Sequence, residues 1–219
     1  MTPPSPSPSP GPSPSPGPGP GPSPSPSPSP SERAAAAGRT VADVLAPGLA
    51  VVFCGINPGL WSAAVGHHFA RPGNRFWRAL HGAGFTEEVL EPADERRLLA
   101  YGVGITNLVA RSTATAAELS PHELRTGAAA LADRLAPLRP RAVAFLGVTA
   151  YRAAFGQPRA VLGEQPGPLA GARVFVLANP SGAQARYQLP ELVAQLAVLR
   201  DAVSAPGAVV GPPSSRARP

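Results

Sequence analysis

Three asparagines in motifs rich in glycine and proline are the first candidates for chemistry. Asn57 lies in GINPG, Asn107 in GITNL and Asn179 in NPSG. An asparagine amide donates and accepts hydrogen bonds but takes up no proton at neutral pH, so it orients a water better than it deprotonates one. Asparagine is also a common turn former, and position alone leaves open that these are ordinary loop residues.

Other kinds of reactive site find little support in the sequence. The chain has no lysine and therefore no P-loop, and GVGITN carries Asn107 where a dinucleotide fingerprint needs its third glycine. His67 and His68 are adjacent and have no third metal ligand at a suitable spacing, and Cys54 is the single cysteine. We therefore expect neither a metal nor another cofactor.

Four short apolar runs predict the strands that position the asparagines. They cover residues 49–55, 103–108, 141–147 and 172–179. Helical patterns separate them, among them 41–46, 93–102 and a longer helix that opens with Ser120, Pro121 and Glu123. This alternation predicts an α/β fold, a three-layer α/β/α sandwich with a mainly parallel four-stranded central sheet.

Each asparagine motif follows one of the predicted strands. In parallel sheets with helices on both faces, ligands bind outside the carboxyl ends of the strands, where such loops meet. We therefore expect Asn57, Asn107 and Asn179 to lie at one edge of the sheet and to face a common pocket.

Composition divides the chain into one domain and two tails. Residues 1–32 consist mainly of proline, serine and glycine, and residues 205–219 are rich in the same types. Such segments have too few apolar side chains to form a core, so both are predicted to be disordered. Residues 41–203 are predicted to form the single folded domain.

Charge and hydropathy indicate the kind of partner and the cellular compartment to expect. All 19 basic residues are arginines and the formal net charge is +6, which favours polyanionic partners without identifying one. No stretch has the ~20 consecutive apolar residues of a membrane span, and the N-terminus lacks the pattern of a secretory signal. We expect a cytoplasmic protein that contacts no membrane.

Three separated motifs, taken in order, resemble one enzyme family. GINPGLWSA with FARPGNRFW, then GITNLVAR, then NPSG followed by Arg186, are similar to the mismatch-specific uracil/thymine DNA glycosylases of the uracil-DNA glycosylase superfamily. The resemblance covers about residues 41–203. It implies a monofunctional repair enzyme that needs no cofactor and acts as a monomer on double-stranded DNA, in the bacterial cytosol at the nucleoid.

The implied reaction is excision of a damaged or mispaired pyrimidine. Such an enzyme flips uracil, and in some cases thymine or ethenocytosine, out of a pair with guanine and hydrolyses its bond to the sugar, leaving an abasic site. The resemblance makes Asn57 the catalytic residue, which positions the attacking water.

The resemblance also implies a base pocket and a wedge. Phe69 is the aromatic that stacks on the flipped base, and the small Gly59 leaves space for a 5-methyl group. Relatives often have leucine where this chain has Ala183, which predicts a weaker wedge. The implied pocket residues are Ile56, Gly59, Ser62, Phe69 and Asn179, and the implied DNA-binding wedge residues are Ser181, Gly182, Ala183, Gln184 and Arg186.

Two other functions stay open at the level of sequence. One is a lesion-binding module of the same fold that has little or no turnover. An amide cannot take a proton from water at neutral pH and therefore activates it only weakly. The other is a domain that binds a free nucleobase or nucleoside. Excision from a duplex separates an enzyme from the first, and nucleoside binding without salt-dependent duplex affinity would favour the second.

Overall fold

A five-stranded sheet forms the centre of the molecule in the computed structural model, which describes residues 27–184 and 186–204. Its strand order is β2-β1-β3-β5-β4, and β4 alone among these strands runs antiparallel to its neighbour. The predicted sandwich with a mainly parallel sheet is therefore confirmed, with five strands instead of four. The strands are β1 Val51–Gly55, β2 Val103–Asn107, β3 Ala142–Leu146, β4 Gly163–Leu169 and β5 Ala172–Leu177.

The strand that sequence patterning missed is β4. Its sequence, GEQPGPL, contains two prolines and no alternation of apolar side chains. It lies at the sheet edge, and its register against β5 shifts between Gln165 and Leu169. Proline is tolerated at such an edge because the missing N–H has no ladder partner to lose.

Helices cover both faces of the sheet and create two cores. The α-helices are α1 Pro30–Ala35, α2 Leu60–Val65, α3 Phe76–Gly82, α4 Pro121–Leu135, α5 Val148–Phe155 and α6 Leu189–Ser204. Alternate residues of β1 point to opposite faces, so Phe53 packs with α3 and α6, and Val52 packs with α4 and α5. The predicted start of α4 is confirmed, because Ser120 and Glu123 form a reciprocal capping box.

One predicted helix is absent and another is a 3₁₀ helix. Residues 41–46 form no helix, because Val44 pairs in an antiparallel bridge with Ile105 and Pro47 follows directly. The helix predicted over 93–102 is present and is of the 3₁₀ type, Pro92–Tyr101. Its bonds connect residues three apart, which gives a tighter turn than the 3.6-residue period of an α-helix.

The boundary of the predicted N-terminal tail lies too far along the chain. Residues 30–32, which we expected to be disordered, form the first turn of α1, capped by Ser29 and Glu32. Residues 1–26 and 205–219, which make up most of the two predicted tails, lie outside the described residues. None of the helices within the described part of the chain is long and apolar enough to cross a membrane.

Candidate active site

A cavity of about 310 Å³ lies where β1, β2 and β5 end, at the carboxyl edge of the sheet. All three asparagines line it, which confirms that their loops meet there. Most of the sequence-predicted site residues line it too, namely Ile56, Asn57, Gly59, Ser62, Phe69, Asn179, Ser181, Ala183 and Gln184. Gly182 and Arg186 lie outside the lining. Within 27–184 and 186–204, no three His, Cys, Asp or Glu side chains are placed to hold a metal ion.

The side-chain amide of Asn57 is fixed in one orientation. Its Nδ2 donates to the carbonyl oxygen of Arg111 at 3.0 Å and to Thr113 Oγ1 at 2.7 Å. A carbonyl only accepts, so nitrogen and not oxygen must face Arg111. The two bonds use both N–H groups, and Oδ1 is the atom through which Asn57 can hold a water in the cavity.

The loop that carries Arg111 and Thr113 is itself braced. Arg111 Nε donates to Glu123 Oε1 at 2.6 Å, and Thr113 Oγ1 donates to the carbonyl of Thr115. The Arg111 guanidinium, together with the backbone and hydroxyl of Ser120, lowers the pKa of the Glu123 carboxyl to about 2. Glu123 therefore stays ionised, and its hydrogen bond to Arg111 persists, throughout the neutral pH range.

Phe69 reaches the cavity in a left-handed backbone conformation. Its φ is +53°, which few residues other than glycine adopt without strain. The neighbouring residues on both sides are hydrogen-bonded, since His68 N donates to Glu95 Oε2 and Ala70 N donates to Ser62 Oγ. The Phe69 ring lies 4.2 Å from the ring of Phe76, centroid to centroid. Ser62 thus acts on the pocket by holding the Phe69 turn.

A buried histidine sets the orientation of Asn107. His68 Nε2 lies 3.0 Å from the carbonyl of Ala42, so this nitrogen carries the proton. In the neutral ring Nδ1 then accepts from Asn107 Nδ2 at 3.3 Å. Burial lowers the pKa of His68 and outweighs the opposing effect of Glu95, which keeps the ring neutral. The pair works as a unit because the histidine tautomer determines which end of the amide turns toward it.

Two glycines shape the cavity by the space they leave. A Cβ at Gly55 would lie 2.5 Å from Asn107 Oδ1, so any side chain there would displace that asparagine. A Cβ at Gly59 would meet nothing within 4 Å, and the cavity is open at this position.

The loop after β5 closes the cavity from the other side. Asn179 Oδ1 accepts from the backbone N–H of Ser181, which leaves Nδ2 as the donor that a base carbonyl can use. Gly182 packs on Gly73, where a Cβ would lie 2.8 Å from its carbonyl oxygen. The exposed Arg186 holds its guanidinium 5.5 Å from the ring centroid of Tyr187.

One buried arginine that the sequence analysis missed holds this loop. Arg75 is 7% exposed and donates to main-chain carbonyls on both sides of the loop tip. Its acceptors are the carbonyl oxygens of Pro180, Ser181, Gln184 and Tyr187, and Oε1 of Gln188. All but one of its partners are backbone groups, and all lie more than 100 residues away, so no side-chain pattern in the sequence could have revealed the interaction.

The sequence profile of the uracil DNA glycosylase superfamily matches residues 42–202, most of the chain and nearly all of the described domain. The chain belongs to the uracil DNA glycosylase superfamily. Its fold is similar to the solution NMR structure of a Methanosarcina acetivorans protein provisionally assigned as a uracil DNA glycosylase. The identity is 19% and the TM-score 0.53, and the match covers 76% of this chain and 98% of that one.

The region that matches the superfamily profile contains the whole cavity. The match begins at Ala42, whose carbonyl holds His68, and includes every residue that lines the cavity. Asn107, His68 and Arg75 are the additional residues that the structure brings into this glycosylase-like site. The first was visible in sequence as a loop asparagine, whereas the positions of the other two depend on long-range contacts.

Proposed function

We propose that this protein is a monofunctional DNA glycosylase that excises uracil mispaired with guanine, and that it tolerates larger pyrimidines such as thymine or ethenocytosine. Superfamily membership supports a hydrolase that acts on DNA. The observation that carries the proposal is the fixed Asn57 amide, whose Oδ1 remains the water-holding atom beside Phe69. We further propose that the enzyme acts as a monomer on chromosomal DNA in the bacterial cytosol.

The reaction follows from the groups around the cavity. Asn57 Oδ1 accepts a hydrogen bond from a water and aims its oxygen at C1′ of the flipped nucleotide. The new C–O bond forms as the C1′–N1 bond breaks, and the electron pair of the broken bond stays on the base. The proton released by the water goes to solvent or to the departing base. Donors such as Asn179 Nδ2 stabilise the negative charge on the base carbonyls as it develops.

Tolerance of larger pyrimidines rests on Gly59. The open space at this position leaves room beside a base that carries an extra methyl group or ring. A tyrosine introduced at Gly59 should abolish excision of thymine and ethenocytosine and reduce excision of uracil much less. Equal losses for all three bases would show that Gly59 does not set the substrate range.

The test of the proposed function is direct. Duplexes carrying uracil, thymine or ethenocytosine opposite guanine are incubated with the protein and treated with alkali, which cuts abasic sites. We expect strand cleavage with the uracil duplex, and cleavage slower by about 100-fold or more with the Asn57→Ala variant purified in parallel, which controls for a contaminating glycosylase. Binding without cleavage would indicate the lesion-binding module, and binding of free nucleosides without salt-dependent duplex affinity would indicate the nucleoside-binding domain.

A further inference from the structure

A segment that precedes the superfamily match folds onto the domain. Residues 29–39, here called the N-terminal strap, comprise α1 and the turn after it. Arg33 places its guanidinium 5.2 Å from the ring centroid of Trp61 in α2, and Ala36 is fully buried against Val41 and Ala63. The strap is therefore a packed element, although the superfamily profile starts only at residue 42.

The last residues of the strap form hydrogen bonds to one buried serine, Ser112. Ser112 is 1% exposed, and its backbone N–H donates to the carbonyl of Arg39 at 2.9 Å. Its own carbonyl accepts from Gly38 N at 3.1 Å, and its hydroxyl donates to the carbonyl of Ala36. All three polar groups of Ser112 are thus satisfied by the strap, and without it they would turn toward water.

Ser112 stands between the two residues that hold the catalytic amide. Arg111 and Thr113 provide the two acceptors for Asn57 Nδ2, and Ser112 connects them in the chain. The next residues of this loop, 114–118, are exposed and contribute little packing of their own. A shift of Ser112 would therefore move both acceptors of Asn57 at once.

We propose that the N-terminal strap is a positioning element of the active site, which acts on excision by holding the Arg111–Thr113 loop against Asn57. The inference rests on the proposed function, because it assigns Asn57 the role of orienting the water. The strap touches no reacting atom. It reduces the freedom of an amide whose catalytic contribution is geometric, and a misplacement of about 1 Å in such a group can cost on the order of 100-fold in rate.

The experiment compares two truncated proteins with the full chain. One lacks residues 1–26 and keeps the strap, and the other lacks residues 1–39. Under single-turnover conditions the first should excise uracil at the full-chain rate. The second should be slower by roughly tenfold or more, while its affinity for a duplex with a non-cleavable uracil analogue changes little.

A double-mutant cycle separates positioning from general destabilisation. If the strap acts through Asn57, removing residues 1–39 should cost nothing further in the Asn57→Ala background. Equal losses of rate in the two backgrounds would overturn the proposal. Ser112→Ala keeps the strap but removes the bond to Ala36, and it should show a smaller loss with the same coupling to Asn57. Ser204→Ala, the same change at an exposed serine at the end of α6, is its matched control.

Hydrogen exchange tests the strap proposal without measuring excision, and so independently of the proposed function. In ¹⁵N spectra the side-chain NH₂ of Asn57, held by two acceptors, should exchange slowly with water in the full chain and faster in Ser112→Ala. Unchanged exchange would overturn the strap proposal even if the enzyme is active. Faster exchange in a protein that excises no base would support the strap and refute the proposed function instead.

Discussion

The two walls of the cavity are held in different ways. On one wall the loops after β1 and β2 continue the parallel pairing beyond the sheet, through Leu108 N to Gly55 O, Val109 N to Ile56 O and Thr113 N to Pro58 O. On the other wall the loop after β5 has no partner strand of this kind among the described residues and depends on Arg75.

This contrast matches the tasks that the two walls would perform. An amide that orients water must stay in place through the reaction, and many main-chain bonds provide that rigidity. A loop that enters a duplex must reach out of the protein and is therefore exposed, as Ala183 and Gln184 are. A single buried cation holds such a loop at its base while leaving its tip in solvent.

The largest effect on the excision rate should come from removing the Asn57 amide from the rigid wall. Asn57→Ala removes the water-holding oxygen, and single-turnover excision should fall by about 100-fold or more while duplex affinity stays nearly unchanged. Quench-flow or manual time courses with enzyme in excess measure the rate, and fluorescence anisotropy measures the affinity. Parallel losses in rate and affinity would remove Asn57 from the catalytic role.

The next largest effect should come from releasing the exposed wall. Arg75→Gln leaves four carbonyls of the loop without their buried donor, which should cost about 3 kcal/mol of folding stability and weaken duplex binding roughly tenfold. Anisotropy at several salt concentrations measures the binding. Arg78→Gln, on the exposed side of α3, removes the same charge and should do much less. Similar losses in both variants would mean that Arg75 contributes only its charge.

A moderate gain should follow from enlarging the wedge. Ala183→Leu adds apolar surface at the exposed tip, and binding to mismatched duplex should tighten several-fold, given ~0.8 kcal/mol per buried methylene less the cost of ordering the side chain. Ala130→Leu, at an exposed position of α4, is the control. No gain, together with lost binding in Arg186→Ala, would identify the arginine as the residue that fills the gap.

The smallest effect should be a pH dependence of stability at His68. Burial lowers the pKa of His68 below its ordinary 6.5 in the folded state, so the unfolded chain takes up the proton first as the pH falls. Stability should be full above about pH 6.5 and decrease below it, until the folded-state pKa is passed. Melting temperatures between pH 8 and 5 should fall less steeply in His68→Gln. The exposed His122→Gln should keep the wild-type slope, and identical slopes in all three proteins would contradict the assignment.

Features that depend on the residues of a single short segment could be predicted from the sequence. Apolar runs bounded by glycine identified the four parallel strands, and the asparagines after three of them identified the pocket. The strand GEQPGPL gave no such signal, because an edge strand with prolines is stabilised by its neighbour β5 and not by its own side chains.

Residues that act over long distances could not be found in this way. Arg75 binds main-chain carbonyls, which every residue type offers. The turn after α1 reaches Ser112 from the end of a segment dominated by proline and serine. His68 looked like half of a histidine pair and is instead the partner of Asn107. In each case the information lies in the folded chain and not in local composition.

The partners of Arg75 also shape the electric field at the tip of the loop. Each peptide group is a small dipole whose negative end is its carbonyl oxygen, and the guanidinium draws those of Pro180, Ser181 and Gln184 inward. A phosphodiester that approaches this loop therefore meets fewer negative dipole ends than it would at an ordinary turn. The same interaction that fixes the shape of the loop lowers the electrostatic barrier to a polyanion, and its effect adds to the attraction of the exposed Arg186 in the same loop.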